Sequence, residues 1–136
     1  MRAFLDTNIF LYSAGKPHPE REACVQILQR LAEGTLEATA NTEVIQEILH
    51  VLTRRGQRAQ ALALARRITV LCPGLLPVTS GDMVEAVRLL EKYPRLSVRD
   101  AVHAATMLRN GLMTLISTDP DFDQISEIRR RAPGSF

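Results

Sequence analysis

Short apolar segments alternate along this chain with longer stretches whose apolar residues recur at helical spacing. Such alternation is typical of a mainly parallel sheet, because each helix returns the chain across a face of the sheet before the next strand. The pattern therefore predicts an α/β fold, a three-layer sandwich with a four- to five-stranded central sheet flanked by helices. A chain of 136 residues fits one such domain, covering residues 1–136.

Turn and cap residues set the expected boundaries of these elements. Strands are expected at residues 2–6, 36–40, 75–78, 112–117 and 126–130. Helices are expected at residues 18–33, 42–55, 57–71, 80–92 and 97–110. Thr7 and Asn8 are expected to start a turn or to cap a helix. Chain ends are often loosely held, so residues 132–136 are expected to be poorly ordered.

Composition excludes several classes of protein. A hydrophobic content of 46% with 24% charged residues is ordinary for a globular domain. No apolar run approaches the roughly 20 residues that span a bilayer, and the first residues lack the pattern of a signal peptide. Cys24 and Cys72 are far apart and belong to no CxxC pair, which indicates neither a disulfide framework nor a zinc site. A reducing cytoplasm is the simplest expected location.

Two acidic residues directly follow expected strands. Asp6 comes after the apolar Ala3-Phe4-Leu5 segment, and Asp119 comes after Leu115-Ile116-Ser117-Thr118. Ligands of open α/β sheets bind beyond the carboxyl ends of the strands, so both are candidate site residues. Each could equally be an ordinary turn or capping aspartate. Asp121 lies in the same turn as Asp119 and is an alternative to it.

Two further acids lie on expected helices, which could bring them to the same carboxyl edge of the sheet. Glu47 adjoins an apolar helix stripe, whereas Glu43, four residues earlier, is favoured in the first turn by the helix dipole. Asp100 lies three residues after Ser97, nearly the spacing of a capping box. His103 is interpreted as a polar residue at the margin of the core, with a proton-carrying role as the lesser alternative.

Gathered carboxylates repel one another, so some must protonate or bind a cation. Oxygen ligands of this kind suit Mg²⁺ or Mn²⁺, which also bind substrate phosphate. Asn8 and Thr118 are candidate hydrogen-bond partners of the ligating acids. Such a site is suited to hydrolysis of a phosphodiester bond.

Arginines dominate the positive charge of the chain, and several lie on the expected helix pair of residues 42–71. Arginine binds phosphate through two parallel hydrogen bonds, although these residues could equally form solvated helix faces. If the chain acts on RNA, as the resemblance of its motifs implies, the pair from Asn41 to Leu71 is a candidate surface for RNA or for dimer packing. The candidate RNA-binding residues are Arg54, Arg55, Arg58, Arg66 and Arg67. Trp is absent, and Tyr12 and Tyr93 are isolated in the sequence, which favours recognition of a folded RNA by its shape over stacking of splayed bases.

The ordered motifs resemble those of PIN-domain nucleases, and the chain resembles the VapC-type toxins of toxin–antitoxin pairs. The matching segments are Phe4-Leu5-Asp6-Thr7-Asn8, Val44-Ile45-Gln46-Glu47, Asp100-Ala101-Val102-His103-Ala104-Ala105 and Ser117-Thr118-Asp119-Pro120-Asp121-Phe122. The resemblance implies a metal-dependent endoribonuclease. Its catalytic acids would be Asp6, Glu47, Asp100 and Asp119, with Asp6 and Asp100 most firmly tied to Mg²⁺ or Mn²⁺.

The resemblance also implies a homodimer, a VapB-type antitoxin and an RNA substrate such as tRNA or rRNA. A non-catalytic PIN-like module that binds RNA or protein is the alternative. A flavodoxin-like phospho-acceptor is disfavoured because no acidic pair accompanies Asp6. A phosphatase of the haloacid type would need an aspartate where the chain has Asn8.

Overall fold

The structure is a computed structural model that describes residues 2–136. It has four strands, six α-helices and two short 3-10 turns at Pro120–Gln124 and Pro133–Ser135. The strands are β1 (Ala3–Leu5), β2 (Ala38–Thr39), β3 (Thr114–Ile116) and β4 (Arg129–Arg131). The helices are α1 (Thr7–Ala14), α2 (Arg21–Glu33), α3 (Thr42–Arg54), α4 (Arg58–Leu71), α5 (Ser80–Lys92) and α6 (Val98–Arg109).

All strand pairs are parallel, in the order β2-β1-β3-β4, which confirms the expected α/β class and parallel sheet. In the central pair, Leu5 of β1 is opposite Ile116 of β3. The residues that follow these two, Asp6 and Ser117, consequently leave the sheet side by side at its carboxyl edge. The backbone N–H of Asp6 donates to the carbonyl of Ile116 at 3.1 Å.

The core forms where the sheet meets the helices. Phe4 and Leu5 of β1 and Leu115 of β3 are fully buried. Each such side chain stabilises the fold by about 1.5–3 kcal/mol relative to exposure. The alanines of α6 at positions 101, 104 and 105 are fully buried as well. Their small side chains let this helix pack closely, which positions Asp100 and His103 near the sheet edge.

The sequence left open whether Thr7 and Asn8 start a turn or cap a helix, and the structure has a helix there. Asp6 is the N-cap of α1, and its side chain accepts a hydrogen bond from the backbone N–H of Thr7. An N-cap carboxylate is favoured at the positive end of a helix. The segment after β1 is therefore an eight-residue helix that carries Asn8 and Tyr12.

The strand expected at residues 75–78 is wrong. Only one isolated bridge, between Asn41 and Leu76, lies there. Pro77 follows Leu76 and has no backbone N–H to extend a ladder. The strand expected at residues 126–130 is present but shifted, since β4 spans Arg129–Arg131.

The C-terminal segment, expected to be poorly ordered, packs against α2. Pro133 is buried, and Arg30 donates a hydrogen bond to the carbonyl of Phe136 at 3.1 Å. The guanidinium of Arg131 lies 4.2 Å from the centre of the Phe136 ring, a cation–π contact. Within residues 2–136, no helix combines the length and apolarity that a bilayer crossing requires.

Candidate active site

Asp6 lies at the centre of the site, and each of its two carboxylate oxygens accepts a hydrogen bond. It is 5% exposed, directly beyond β1. Its Oδ1 accepts from the backbone N–H of Thr7 at 2.8 Å, and its Oδ2 accepts from the hydroxyl of Ser117 at 2.6 Å. Burial raises the pKa of Asp6, although His103 and the hydrogen bonds from Ser117 and Thr7 oppose the shift. The carboxylate is thus oriented by the first residue of α1 and by the residue that follows β3.

Glu47 enters the same site from α3 and is tied to α6. Its Oε1 accepts from Nε2 of His103 at 2.6 Å, and Nη1 of Arg99 lies 3.9 Å from Oε2. Glu47 is 8% exposed and His103 is fully buried. The sequence interpretation put Glu47 inward, as observed, and put His103 only at the core margin. His103 is instead a buried link between two candidate site residues.

The imidazole of His103 also reaches Asp6. Its Nε2 lies 3.3 Å from the hydroxyl of Thr7 and 4.0 Å from Oδ1 of Asp6. Burial lowers the pKa of His103, but the hydrogen bond with Glu47 and the nearby carboxylates outweigh it and raise the pKa overall. One ring nitrogen is therefore hydrogen-bonded to Glu47 of α3 and lies near Asp6, the residue that follows β1. The other, Nδ1, is buried without a hydrogen-bond partner among the described residues.

Asp100 completes the cluster from the first turn of α6. Its backbone N–H donates to the side chain of Ser97, the N-cap of that helix, so the expected capping role of Ser97 is present. Burial, the charge of Asp6 and the charge of Asp119 together raise the pKa of Asp100 to about 7. Burial is the largest of these causes, and the like charges of Asp6 and Asp119 add to it.

Asp119, and not Asp121, is the acid of the fourth motif that acts electrostatically on Asp100. The backbone N–H of Asp119 donates to the Ser117 hydroxyl at 3.0 Å, which keeps the turn close to Asp6. Asp121 is exposed, and its backbone N–H donates to Oδ1 of Asp119 at 2.9 Å. Asp121 therefore supports the turn through its backbone.

The residues expected to support the acids differ in whether they contact them. Ser117, which the sequence argument did not single out, makes the hydrogen bond to Asp6 that was expected of Thr118. In the described part of the chain, the Thr118 side chain makes no hydrogen bond to the four acids. Strand register was the missing information, because it puts Ser117 beside Asp6. Burial and the charge of Glu47 raise the pKa of Glu43, which places Glu43 at the margin of the cluster.

The acids of the site supply only oxygen donors for a divalent cation. Across residues 2–136, no three His, Cys, Asp or Glu side chains already converge as a metal cage. Mg²⁺ does not require one, since it commonly takes one or two carboxylates and keeps several waters. The repulsion of Asp100 by Asp6 and Asp119 is the charge pattern that a cation would relieve. These all-oxygen donors fit Mg²⁺ or Mn²⁺.

The candidate arginines do not share one surface. Arg55, at the end of α3, and Arg67, on α4, line a groove that also touches Asn8 of α1. The other three, Arg54, Arg58 and Arg66, are exposed and do not line that groove. Tyr12 is not isolated in the fold, because its ring stacks on His18.

Comparison with known sequences identifies the family. The PIN-domain profile matches residues 3–128. The ribonuclease VapC7 of Mycobacterium tuberculosis is 35% identical over 125 residues, covering 91% of this chain and 86% of that protein. Ribonuclease VapC13 of the same species is 30% identical, covering 94% of this chain and 98% of that protein.

Solved structures share the fold. VapBC2 of Rickettsia felis, crystallised with a DNA fragment from its promoter, matches with a TM-score of 0.76 and 18% identity, covering 97% of this chain and 98% of that chain. VapC20 of M. tuberculosis, described as a toxin that cleaves the sarcin–ricin loop, matches with a TM-score of 0.75 and 19% identity, covering 91% of this chain and 95% of that chain. From the match along nearly its whole length and from its VapC relatives, the chain belongs to the PIN-domain family of VapC ribonucleases.

Proposed function

We propose that this protein is an endoribonuclease dependent on Mg²⁺ or Mn²⁺, and that it acts as the toxin of a toxin–antitoxin pair. The observation that carries the proposal is the gathering of acids at the carboxyl edge of the sheet. Asp6 is buried there and accepts a hydrogen bond from Ser117, and burial together with the charges of Asp6 and Asp119 raises the pKa of Asp100 to about 7. The VapC ribonucleases that it resembles support the same activity. The site residues proposed for catalysis are Asp6, Glu47, Asp100 and Asp119.

Asp6 and Asp100 are proposed to hold the cation. The chemistry supplied by a bound divalent cation is neutralisation of charge on the phosphate and a lower pKa for the attacking water. Ser117 orients Asp6 by its hydrogen bond, and His103 orients Glu47. Asp119 keeps the turn after β3 in place and adds negative charge that favours cation binding.

Cleavage by matched variants tests this activity. The purified chain should cleave RNA in the presence of Mn²⁺ and should lose that activity with chelator. Asp6→Asn and Asp100→Asn conserve size and remove charge, so each should fold and fail to cleave. Asp121→Asn is the control, because Asp121 is exposed and acts through its backbone. Cleavage that survives both test substitutions would refute the site.

A non-catalytic module that binds RNA or protein is the alternative function. It predicts that RNA binds without being cut at any Mn²⁺ concentration and that Asp6→Asn leaves binding unchanged. The relatives named as ribonucleases disfavour it. A panel of RNAs that includes tRNA and rRNA fragments distinguishes the nuclease from the binding module, since VapC20 is named for cleavage of the sarcin–ricin loop.

A VapB-type antitoxin is the proposed protein partner. Structural neighbours such as the Rickettsia felis and Salmonella typhimurium proteins are VapBC assemblies. The product of a short reading frame adjacent to the gene should copurify with the chain and inhibit its cleavage of RNA. We place this pair in the cytoplasm, because the buried free thiols of Cys24 and Cys72 suit a reducing compartment.

A homodimer is proposed to form through α5. Met83, Val84 and Val87 share one face of this helix and are 45%, 73% and 54% exposed. Clustered exposed apolar side chains commonly mark an interface. Val84→Lys with Val87→Lys should convert the dimer to a monomer in sedimentation. Val70→Lys on α4, where the valine is 79% exposed, should leave the mass unchanged.

A further inference from the structure

A groove runs beside the site, between α1 and the hairpin of α3 and α4. Its volume is about 1070 Å³. Asn8, Leu11 and Tyr12 form its α1 wall, since residues three and four apart share a helix face. The opposite wall includes Arg55 and Arg67. The helix pair that carries the candidate RNA-binding arginines is therefore one side of this groove.

The groove begins next to the acidic cluster. Asn8 lies two residues after Asp6, in the first turn of α1. The Oδ1 atom of Asn8 is buried and has no hydrogen-bond partner in the described part of the chain. Tyr12 lies one turn further along, about 6 Å away along the helix axis. A ligand in the groove would thus extend from the acids outward along α1.

A flat aromatic surface lies at the outer end of this wall. The rings of Tyr12 and His18 are stacked, with centres 4.3 Å apart and planes 18° from parallel. The backbone N–H of Glu20 donates to Nδ1 of His18 at 3.1 Å, which holds the imidazole in place. His18 is exposed, so the face of its ring that is turned away from Tyr12 is open. Bases of single-stranded RNA stack on such surfaces.

The charge of the groove complements a phosphate backbone. Lys16, Arg55 and Arg67 line it, and no acidic residue of the described chain does. Gln57 and Gln60 of the opposite wall add amides that can donate to and accept from base edges. Aromatic, amide and basic groups side by side match the chemistry of a nucleotide better than that of an apolar peptide.

We propose that this groove binds an unpaired nucleotide of the RNA substrate, with its base stacked on His18 and its flanking phosphates bound by Arg55 and Arg67. The proposal rests on the proposed ribonuclease function and narrows the substrate to RNA with a single-stranded segment at the cleavage region. It replaces the expectation, based on sequence alone, that recognition uses shape without stacking.

Binding of a short RNA that contains 2-aminopurine tests the stacking. The measurement is made in chelator, so that cleavage does not compete. The single-stranded probe should bind more tightly than its duplex, with quenching of the 2-aminopurine fluorescence. His18→Ala should weaken binding roughly 5- to 100-fold and remove the quenching. His18→Phe should restore both, because it retains an aromatic face.

Charge-matched double variants test the phosphate contacts. Arg55→Ala with Arg67→Ala should reduce the slope of log affinity against log salt by about 1.4, as expected for two single-strand phosphates. Arg54→Ala with Arg66→Ala removes the same charge outside the groove and should leave the slope nearly unchanged. Equal slopes for the two double variants would overturn the assignment.

The outcomes separate this proposal from the ribonuclease itself. A chain that binds the probe as expected but never cleaves RNA would refute the proposed activity and leave the groove assignment standing. A chain that cleaves RNA and binds duplex and single strand alike, unaffected by His18→Ala, would refute the nucleotide groove. If His18→Ala then weakened only the antitoxin complex, the groove would be assigned to that protein.

Discussion

Nε2 of His103 lies 2.6 Å from Oε1 of Glu47, which joins α6 to α3 across 56 residues of sequence. Both side chains are buried, so the contact is shielded from water. The same nitrogen lies 4.0 Å from Oδ1 of Asp6. The position of one candidate catalytic acid relative to another therefore depends on a histidine that is not itself an acid of the site.

Replacing His103 should destabilise the fold. His103→Ala leaves the buried Glu47 carboxylate without its closest donor, a loss that typically costs about 1–3 kcal/mol of unfolding free energy. Urea denaturation of wild type and variant measures it. His50→Ala is the control, because His50 is exposed on α3 and its loss should change stability by less than about 0.5 kcal/mol. Equal effects of the two substitutions would contradict the buried link.

Removal of the Ser117 hydroxyl should lower the affinity for the cation more than it lowers the stability of the fold. Ser117→Ala deletes the hydrogen bond to Oδ2 of Asp6. Loss of a group that orients a metal ligand typically lowers affinity or activity by roughly 10- to 100-fold. Calorimetric titration with Mn²⁺ gives the affinity, and Thr118→Ala, which removes no hydrogen bond to the acids, should match wild type. A normal Mn²⁺ affinity in Ser117→Ala would show that Asp6 needs no such orientation.

The metal-free protein should lose stability as pH rises toward neutrality. The pKa of Asp100 is about 7 in the fold, against an ordinary value of 3.8. Between those pH values the folded state holds a proton that the unfolded state has released, so unfolding becomes easier as pH increases. Urea midpoints in chelator at pH 5 and pH 7.5 should differ more for wild type than for Asp100→Asn. Identical pH dependence in both proteins would argue against the raised pKa.

Asn41 should matter for the placement of α3. Its Oδ1 accepts from the backbone N–H of Val44 as an N-cap, and its Nδ2 donates to the hydroxyl of Thr106 at 3.0 Å. Asn41→Ala removes both bonds and should cost about 1–2 kcal/mol of stability or more. In a double-mutant cycle with Thr106→Val, the two effects should be less than additive. Strict additivity would mean that the side chains act independently.

The sequence predicted the parallel α/β sheet because apolar periodicity and cap residues are local signals. Phe4-Leu5-Asp6 and Ser97 each define an element end with little help from the rest of the chain. The same signals failed at Leu75-Leu76-Pro77-Val78, where an apolar run resembles a strand but Pro77 cannot extend a ladder. They also left open whether Thr7 and Asn8 begin a turn or a helix, since both use the same capping chemistry.

For the candidate acids too, local sequence signals predicted part of the site and the tertiary structure supplied the rest. Each of Asp6, Glu47, Asp100 and Asp119 was identifiable from its place in a motif. Their mutual electrostatic effect, the selection of Asp119 over Asp121 beside Asp100, and the partners Ser117 and His103 depend on strand register and helix packing. Local sequence determined which residues end strands and begin helices. Only the tertiary structure decided which of them meet, because contacts between residues far apart in sequence depend on packing that no single segment encodes.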